Sequence, residues 1–266
     1  MPDFQALSSP AFAKLRSHLR LVATDLDGTL TQNGQFTPLL LQGLQDLQGA
    51  GLPVLLVTGR SAGWVSALVE YLPVAGAIAE NGGLFFAGGN AAPILLSKIR
   101  DLSHHRQALA ELFGQLQSQR PHLQESTDNR YRLSDWTFDV AGLSQEDLDD
   151  LAATTAAAGW GFTYSTVQCH LKLPQQSKAS ALLQVLADHF PDLTPDQVVT
   201  VGDSPNDESL FDPATFPNSV GVANIQHYWP QLQHQPVYVT QTAEAQGFLE
   251  LSRALTEVRS RRMLED

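Results

Sequence analysis

Short, continuously apolar runs alternate with helical patterns over the first eighty residues of the chain. The runs predict three buried strands, at residues 20–24, 53–57 and 77–79. The helix between the first two strands is predicted to begin at Thr37-Pro38, a capping residue followed by a proline suited to the first turn, and to end at Gly51. A second helix is predicted from Ser61 to about Tyr71. Strands without polar alternation, each followed by a helix, indicate a parallel sheet covered by helices.

The pattern changes after Asn81. Leu84–Phe86, followed by the residues AGGN, predicts a hairpin. Beyond it we predict helices over residues 104–119 and 144–159, and strands over residues 130–140, 161–166 and 168–173. The 130–140 segment alternates between apolar and polar positions, which is typical of a half-exposed strand. This order of elements indicates a small α+β insertion with an antiparallel sheet.

The parallel pattern returns near residue 173. It predicts a helix over residues 177–190, strands over 197–201, 219–222 and 237–240, and a last helix over 242–261. We therefore predict an α/β fold, with one doubly wound, Rossmann-like core formed by residues 20–83 and 173–266. An α+β cap over residues 84–172 would divide this core, and residues 1–19 would form a helical or loose extension.

Composition narrows the classes of partner. Hydrophobic residues make up 43% of the 266 residues, and the formal net charge is -12. An acidic surface repels nucleic acid and anionic membranes, so we expect neither as a partner, whereas a small anionic molecule remains compatible with locally concentrated positive charge. Cys169 is the only cysteine, which excludes an intramolecular disulfide and a cysteine-based zinc site. The sequence leaves the oligomeric state open.

The sequence also bears on location. The first twenty residues lack an uninterrupted apolar segment and contain Lys14, Arg16 and Arg20. We read no signal peptide there. No apolar stretch approaches the roughly 20 residues that a membrane-spanning helix needs. We therefore expect a cytoplasmic protein.

Polar side chains follow four of the predicted core strands, at the points where those strands end. In chain order these are Asp25 and Asp27, then Thr58-Gly59-Arg60, then Glu80-Asn81-Gly82, then Gly202-Asp203 with Asn206 and Asp207. Ligands of open parallel sheets bind outside the carboxyl ends of the strands. The convergence of four such ends predicts an active site at one edge of the sheet.

Each piece has an ordinary explanation when it is taken alone. Asp27-Gly28 is a common turn pair, and Thr58-Gly59 can simply begin a helix. Asp203 and Asp207 can be a helix cap and a solvated helical face, and Lys178 can be an exposed side chain. The occurrence of all these residues together, in this order and at these strand ends, favours an active site over the separate ordinary explanations.

Carboxylates gathered at one edge repel each other unless a cation lies among them. Hard oxygen ligands suit Mg²⁺, and the lack of a nearby histidine or cysteine cluster disfavours zinc. Asp203 and Asp207 are four residues apart, so they can face one point. Lys178 is predicted at a helix N-terminus, which is already positive, and a bound anion would relieve that conflict.

Four segments, taken in order, resemble the four motifs of the haloacid dehalogenase (HAD) superfamily: DLDGT at Asp25–Thr29, TGR at Thr58–Arg60, Lys178, and GDSPND at Gly202–Asp207. The long insertion, with ENGG at Glu80–Gly83 and GVAN at Gly221–Asn224, is similar to the Cof-like, sucrose-phosphatase-like branch with a C2-type cap. The resemblance covers about residues 20 to 250, and the cap matches only in length and element order. Ser177-Lys178-Ala179 departs from the Asp-Lys-Gly that the family often has.

The resemblance implies roles for four catalytic residues. Asp25 would be the nucleophile that forms an aspartyl-phosphate, and Asp27 the general acid and then the general base. Thr58 would hydrogen-bond the transferred phosphoryl group, and Lys178 would offset its charge. Lys172 is the rival for the motif lysine, although it falls on a predicted strand.

The resemblance also implies a Mg²⁺ ion. Asp25, the backbone carbonyl of Asp27 and Asp203 would hold it, with Asn206 and Asp207 orienting or completing the shell.

Substrate contacts are expected from both sides of the cleft: Gly59, Arg60, Asn81, Asn206, Arg130, Arg132, His170 and Lys172. Arg130 and Arg132 are expected to alternate onto one strand face, where they could bind a second anionic group. The alternative for each cap residue is an ordinary surface or packing role.

These observations predict a Mg²⁺-dependent phosphomonoester hydrolase that acts on a small phosphorylated metabolite, favouring a sugar phosphate or phosphorylated glycoside. Two alternatives remain open. One is a capped phosphomutase, which would return the phosphoryl group to the substrate. The other is a non-catalytic binding protein on the same scaffold, against which the presence of both Asp25 and Asp27 argues.

Overall fold

The computed structural model describes residues 4–89 and 91–262, with the side chains of 258–262 left aside. The strands are β1 Gln5–Ala6, β2 Leu21–Thr24, β3 Val54–Val57, β4 Gly76–Ala79, β5 Leu84–Phe86, β6 Ile94–Leu95, β7 Trp136–Asp139, β8 Gly161–Tyr164, β9 Gln168–Lys172, β10 Val198–Gly202, β11 Ser219–Gly221 and β12 Tyr238–Val239. The α-helices are α1 Pro10–Leu15, α2 Pro38–Gly49, α3 Ala62–Tyr71, α4 Leu102–Gln119, α5 Gln145–Ala157, α6 Lys178–His189 and α7 Glu244–Arg262. Short 3-10 helices cover Asn129–Tyr131, Pro195–Gln197, Pro205–Leu210 and Ala223–Gln231.

A large sheet forms the centre of the molecule. Within the described residues it has nine strands in the order β1-β12-β11-β10-β2-β3-β4-β5-β6. β1, β12, β11, β10, β2, β3 and β4 run parallel to one another. β5 and β6 extend the sheet beyond β4 in antiparallel pairing. The predicted α/β fold with a parallel core is confirmed.

Continuous burial explains why the central strands lack polar alternation. β2, β3, β4 and β10 are buried at every position, because helices cover both faces of the sheet. Val22 and Leu56 belong to the hydrophobic core under α2, α3 and α7. Ala23 and Leu55 belong to the core on the opposite face, under α6. The carboxyl ends of these four neighbouring strands therefore meet at one edge.

A second sheet lies in the inserted segment. Among the described residues it has three strands in the order β7-β9-β8, all antiparallel. α4 and α5 pack on it around a separate core that includes Leu109, Phe138 and Leu151. The predicted small α+β insertion has this architecture, which agrees with a C2-type cap.

The hairpin at the start of the insertion belongs to the large sheet. β5 pairs with β4, with Phe86 opposite Ala77, and β6 pairs with β5. The apolar Leu84–Phe86 segment is buried there because it extends the core. β5 and β6, which the sequence pattern placed in the cap, therefore lie in the core sheet, while the other domain limits stay a prediction.

Two further expectations need correction. The alternating 130–140 segment was expected to form one strand, but it begins in a 3-10 turn and only Trp136–Asp139 is extended. The extension, which was predicted to be helical or loose, contains the helix α1, but it also contributes β1, which pairs with β12 of the core sheet. Residues 1–3, 90 and 263–266 of the predicted ranges lie outside the described residues. No helix in the part of the chain that the structure describes is long and apolar enough to cross a bilayer.

Candidate active site

Three carboxylates and one ammonium group meet at the carboxyl edge of the sheet. Asp25 follows β2, Asp203 follows β10, and Asp207 lies in the 3-10 helix beyond it. One oxygen from each carboxylate lies within 4.8 Å of an oxygen of the other two. Nζ of Lys178 lies 2.5 Å from Oδ1 of Asp25 and 2.6 Å from Oδ1 of Asp207. The structure thus brings together residues from three remote segments.

Lys178 is only 1% exposed, so the alternative of a solvated surface lysine is wrong. It is the first residue of α6, and Ser177 caps that helix by accepting a hydrogen bond from the backbone N–H of Ser180. The two carboxylates offset the unfavourable position of an ammonium group at a helix N-terminus. From the sequence, only a bound anion was expected to serve this purpose.

Two glycines make the close approach of these loops feasible. Gly28 has φ +78°, and a Cβ there would lie 2.4 Å from Oδ2 of Asp203. A Cβ on Gly202 would lie 2.4 Å from Cγ of Asp207. Any larger residue at either position would displace a carboxylate of the cluster.

Asp207 is fixed by its own loop. Its Oδ2 accepts hydrogen bonds from the backbone N–H groups of Asp203, at 2.9 Å, and Ser204, at 3.2 Å. Its Oδ1 accepts from Lys178. Since both oxygens have donors, Asp207 is well placed to orient Lys178 and the Asp203 loop.

Asp203 is held by residues on either side. Oδ1 accepts from the hydroxyl of Thr29 at 3.2 Å, and Oδ2 accepts from Nδ2 of Asn224 at 2.9 Å. Asn224 also donates to the carbonyl of Gly28 at 3.0 Å. Sequence analysis did not assign Asn224 to the site, although its GVAN motif was the available signal.

The electrostatic balance of the cluster is negative. Burial raises the pKa of Asp25 to about 7, although Lys178 opposes this shift. Burial, together with Asp25 and Asp207, raises the pKa of Asp203 well above its ordinary value. For Lys178, burial disfavours the charged form, but Asp207 and Asp25 outweigh it and raise the pKa. A divalent cation would relieve the excess negative charge, and hard oxygen donors of this kind fit Mg²⁺.

Asp27 lies outside this carboxylate group. Nε and Nη2 of Arg60 donate to its two oxygens at 2.7 Å and 2.6 Å, which makes a bidentate ion pair. The guanidinium of Arg60 also lies over the ring of Trp64, 4.4 Å from the centroid. Among the predicted metal ligands, Asp27 is therefore the one whose carboxylate is engaged elsewhere, which leaves its backbone carbonyl as the candidate ligand.

Thr58 completes the floor of a small cleft beside Asp25 and Asp27. Its hydroxyl oxygen accepts from the backbone N–H of Arg60 at 3.1 Å, so its own proton remains available to a ligand. The cleft is narrow, with a volume of about 10 Å³. Its lining comes from the core and from the cap: Asp25, Asp27, Thr58, Gly59, Arg60, Asn206, Ser165, Val167, Gln168 and His170.

Asn206 lines both this cleft and a larger cavity, and Asn81 lines the larger cavity. Nδ2 of Asn206 donates to Oδ1 of Asn81 at 3.1 Å. The larger cavity, of about 560 Å³, lies between β8 of the cap and the core, and both asparagines and Lys172 line it. The predicted contact Asn206 is thus placed at the junction of the two spaces, and the predicted contact Asn81 lies beside it on the larger cavity.

Lys172 does not replace Lys178. Its Nζ donates to the carbonyl of Gln176 at 2.5 Å, and burial lowers its pKa to about 8. Both lysines line the larger cavity, but the ammonium group that contacts the carboxylate cluster is that of Lys178.

The expectation that Arg130 and Arg132 share one strand face is wrong. Arg130 is exposed and its guanidinium lies over the ring of Tyr131, 4.8 Å from the centroid. Arg132 is 2% exposed and pairs with Asp128 at 3.0 Å and Asp135 at 2.9 Å. Arg132 is held by its ion pairs with Asp128 and Asp135. The 3-10 turn replaces the strand on which the two arginines were expected to share a face.

Arg132 connects the cap to the core instead. Its Nη1 donates to the carbonyl of Gly59 at 2.9 Å, and its Nη2 donates to Oε1 of Gln168 at 2.8 Å. His170 lies in the same network, with Nδ1 2.9 Å from Oδ2 of Asp135. The network therefore positions the cap over the Thr58–Arg60 loop.

Glu80 is a further residue that sequence analysis did not assign. It is fully buried, and its carboxylate accepts from the backbone N–H groups of Ala62, Leu133 and Ser134 at 2.6–3.1 Å. Leu133 and Ser134 belong to the inserted segment, so Glu80 ties the insertion to the end of β4. A carboxylate directly after a buried strand was the available signal.

Comparisons with known proteins agree with this geometry. Residues 18–253 match the model of the family described as sucrose-6F-phosphate phosphohydrolase. The phosphoglycolate phosphatase of Haloarcula marismortui is 30% identical over 234 residues, which cover 85% of this chain and 92% of the relative. That of Methanothrix thermoacetophila is 26% identical over 238 residues, covering 88% of this chain and 95% of the relative.

Solved structures show the same fold. Thermoplasma acidophilum 0175 superposes with a TM-score of 0.70 at 22% identity, covering 89% of this chain and 98% of the other. The sucrose-phosphatase from Synechocystis sp. PCC6803, solved with sucrose and phosphate, gives a TM-score of 0.61 at 18% identity, covering 90% and 98%. The chain belongs to the sucrose-6F-phosphate phosphohydrolase family within the HAD superfamily, and it is a HAD-type phosphatase.

Proposed function

We propose that this phosphatase is a Mg²⁺-dependent phosphomonoester hydrolase that works through an aspartyl-phosphate on Asp25. The observation that carries the proposal is the buried cluster of Asp25, Asp203, Asp207 and Lys178, which borders the cleft that contains Asp27 and Thr58. One carboxylate can attack there while a second manages the proton.

In the first step, an oxygen of Asp25 attacks phosphorus and the bond from phosphorus to the leaving oxygen breaks. Asp27 gives its proton to that oxygen, so the leaving group departs as an alcohol. Arg60 holds the Asp27 carboxylate in one orientation and is a positioning residue for this transfer.

In the second step, a water molecule attacks the phosphorus of the aspartyl-phosphate. Asp27 takes a proton from this water, the bond between phosphorus and the Asp25 oxygen breaks, and inorganic phosphate leaves. The hydroxyl of Thr58 donates to a phosphoryl oxygen, and Lys178 offsets the negative charge beside Asp25.

Asp25, Asp203 and the backbone carbonyl of Asp27 would hold Mg²⁺, with Asp207 and Asn206 orienting or completing the shell. When bound, the ion screens Asp25 from the anionic phosphate and stabilises the charge of the transferring group. The negative balance of the buried cluster supports this assignment.

The substrate is proposed to be a sugar phosphate or phosphorylated glycoside, consistent with the family that the chain belongs to. A small phosphorylated acid is the second candidate, because the curated relatives compared above are named phosphoglycolate phosphatases. The residues proposed to contact the substrate are those that line the cleft or the larger cavity: Gly59, Arg60, Asn81, Asn206, His170 and Lys172. Arg132 is proposed to position the cap, and Arg130 has no proposed role.

The test is a phosphatase screen over phosphorylated metabolites, with Mg²⁺ and with EDTA. We expect phosphate release that requires the metal, and Mg²⁺ should raise the midpoint of thermal unfolding of the wild type but not of Asp203→Asn. Asp192→Asn, an exposed change outside the cluster, is the matched control. A flat, metal-independent response across the panel would contradict the proposal.

Product analysis separates the two alternatives. A phosphomutase would convert a sugar phosphate into its isomer without net phosphate release, whereas the hydrolase releases inorganic phosphate. A binding protein on this scaffold would do neither, although it would still bind phosphorylated ligands.

A further inference from the structure

Lys172 and Lys178 line the same cavity, but their amino groups have different partners. Lys172 is the last residue of β9 in the cap, and Lys178 is the first residue of α6 in the core. Both side chains are buried, with 7% and 1% of their surface exposed. Lys178 forms ion pairs with Asp25 and Asp207. Within the described residues, Lys172 forms no ion pair, so its charge is left without a direct counter-charge.

The hydrogen bonding of Lys172 does not compensate a positive charge. Its Nζ donates to the backbone carbonyl of Gln176, which is a neutral group. An ammonium group has three hydrogens to donate, and burying it without an anionic partner is unfavourable. The neutral amine is favoured in such a place, and a desolvated lysine amine is a nucleophile.

The charged groups around Lys172 do not restore the missing ion pair. Burial lowers the pKa of Lys172 to about 8, and Asp135 opposes this shift without cancelling it. The carboxylate of Asp135 is already engaged by Arg132 and His170. The other titratable residues that line the cavity are Lys178, Glu208, Asp212 and His234. Glu208 and Asp212 accept hydrogen bonds from backbone N–H groups of the core. The neutral amine is therefore substantially populated near pH 8.

A neutral amine that faces a cavity of about 560 Å³ can react with a small carbonyl compound there. The Nζ lone pair attacks the carbonyl carbon, a proton passes from nitrogen to the carbonyl oxygen, and loss of water leaves a carbon–nitrogen double bond. No oxidant or reductant takes part, and water reverses the reaction. A protonated imine keeps one N–H, for which the carbonyl of Gln176 is a suitable acceptor.

We propose that Lys172 reversibly binds small aldehydes as imines in the cavity between the cap and the core. Lys178 is the natural comparison, because it lines the same cavity while two carboxylates hold its charge. Imine formation at Lys172 uses neither Asp25 nor Asp27, so it can be tested independently of the proposed hydrolysis.

The first experiment traps the imine. The full-length protein is treated at pH 7.5 with glycolaldehyde and cyanoborohydride, which reduces the imine to a stable secondary amine. Peptide mapping by mass spectrometry then measures the adduct at each lysine of the chain: Lys14, Lys98, Lys172 and Lys178. The adduct should form at least about tenfold faster at Lys172 than at Lys178, because an ion-paired ammonium group has no free lone pair.

The second experiment follows the state of the amine. Trace labelling with acetic anhydride from pH 6.5 to pH 9.5 uses free Nα-acetyl-lysine in the same tube as the reference. The rate at Lys172 should level off above about pH 8, whereas that of the reference, an ordinary lysine with a pKa of about 10.4, should still rise at pH 9.5. The pH at which the rate levels off does not depend on how easily the reagent enters the cavity.

Two controls accompany these measurements. Lys172→Arg keeps a long cationic side chain but has no amine that forms an imine, so it should lose the adduct at residue 172 and keep those at Lys14 and Lys98. Protein unfolded in guanidinium chloride should react alike at all four lysines, which shows that each site can be detected.

The assignment is overturned by either of two results. One is an adduct at Lys172 that forms no faster than the adduct at Lys178, which includes the case that neither forms in the folded protein. The other is acetylation of Lys172 that follows the same pH profile as free Nα-acetyl-lysine.

Discussion

A buried charge network in the cap and one in the core can be compared within the described residues, and their charges are balanced differently. In the cap, Arg132 satisfies Asp128 and Asp135, and Gln168 and His170 complete the hydrogen bonds. In the core, three carboxylates share the single ammonium group of Lys178. One guanidinium against two carboxylates leaves the cap network with a smaller charge excess than the core cluster, where one ammonium group faces three carboxylates. The core therefore has the greater need of a cation that arrives with the ligand.

The largest expected effect comes from the core nucleophile. Asp25→Asn should lower kcat by at least about three orders of magnitude, because an amide cannot form the acyl-phosphate. The free energy of unfolding should change little, since the change removes one of three mutually repelling carboxylates. Steady-state hydrolysis and urea unfolding measure the two quantities, with Asp192→Asn as the control. Activity within a few fold of the wild type would rule out the covalent step.

Removing Arg132, the central cation of the cap network, should mainly lower the free energy of unfolding, whereas Asp25→Asn should mainly lower kcat. Arg132→Met leaves Asp128 and Asp135 buried without a counter-charge, and breaking such a pair costs about 3–5 kcal/mol of unfolding free energy. The nearby Arg130→Ala, on an exposed residue, should stay within about 0.5 kcal/mol of the wild type. Urea unfolding of both variants tests the comparison, and equal stabilities would show that the cap network does not support the fold.

The smallest expected effect is a dependence of stability on pH. Burial opposes ionisation of Asp135, but Arg132 and His170 outweigh it, so the folded-state pKa lies below the ordinary value of 3.8. The stability from this carboxylate is therefore fully present above that value and is lost as the pH falls through the folded-state pKa. The difference in urea midpoint between wild type and Asp135→Asn should shrink on acidification below about pH 4. A difference that stays constant would contradict the assignment.

The core site could be predicted because each of its parts follows a recognisable strand. Asp25 and Asp203 lie directly after apolar runs that are buried throughout, and parallel pairing then brings the strand ends together. The position of Lys178 at the start of α6 could be predicted because Ser177, directly before it, is a typical helix-capping residue. Local patterns were sufficient there because the sheet supplies the long-range order.

The cap could not be predicted to the same depth. Alternation in the 130–140 segment suggested a strand with two arginines on one face. The partners of Arg132 instead lie at Asp128 and Asp135, at spacings of four and three residues that a strand pattern does not indicate, and at Gln168, 36 residues away. The role of Glu80 likewise depends on backbone groups of Leu133 and Ser134, more than fifty residues away. Contacts that join two domains leave no local repeat in the sequence.

The short strand β1 has a practical consequence for how the protein is produced. Gln5 and Ala6 pair with Tyr238 and Val239, and the ring of Phe12 lies 5.1 Å from that of Tyr238. A chain that begins at β2 would lack β1 and Phe12. The backbone hydrogen-bonding groups of β12 and the ring of Tyr238 would then be exposed at the edge of the sheet. Such a shortened protein is expected to self-associate through that margin, so truncations intended for crystallisation should retain the first dozen residues.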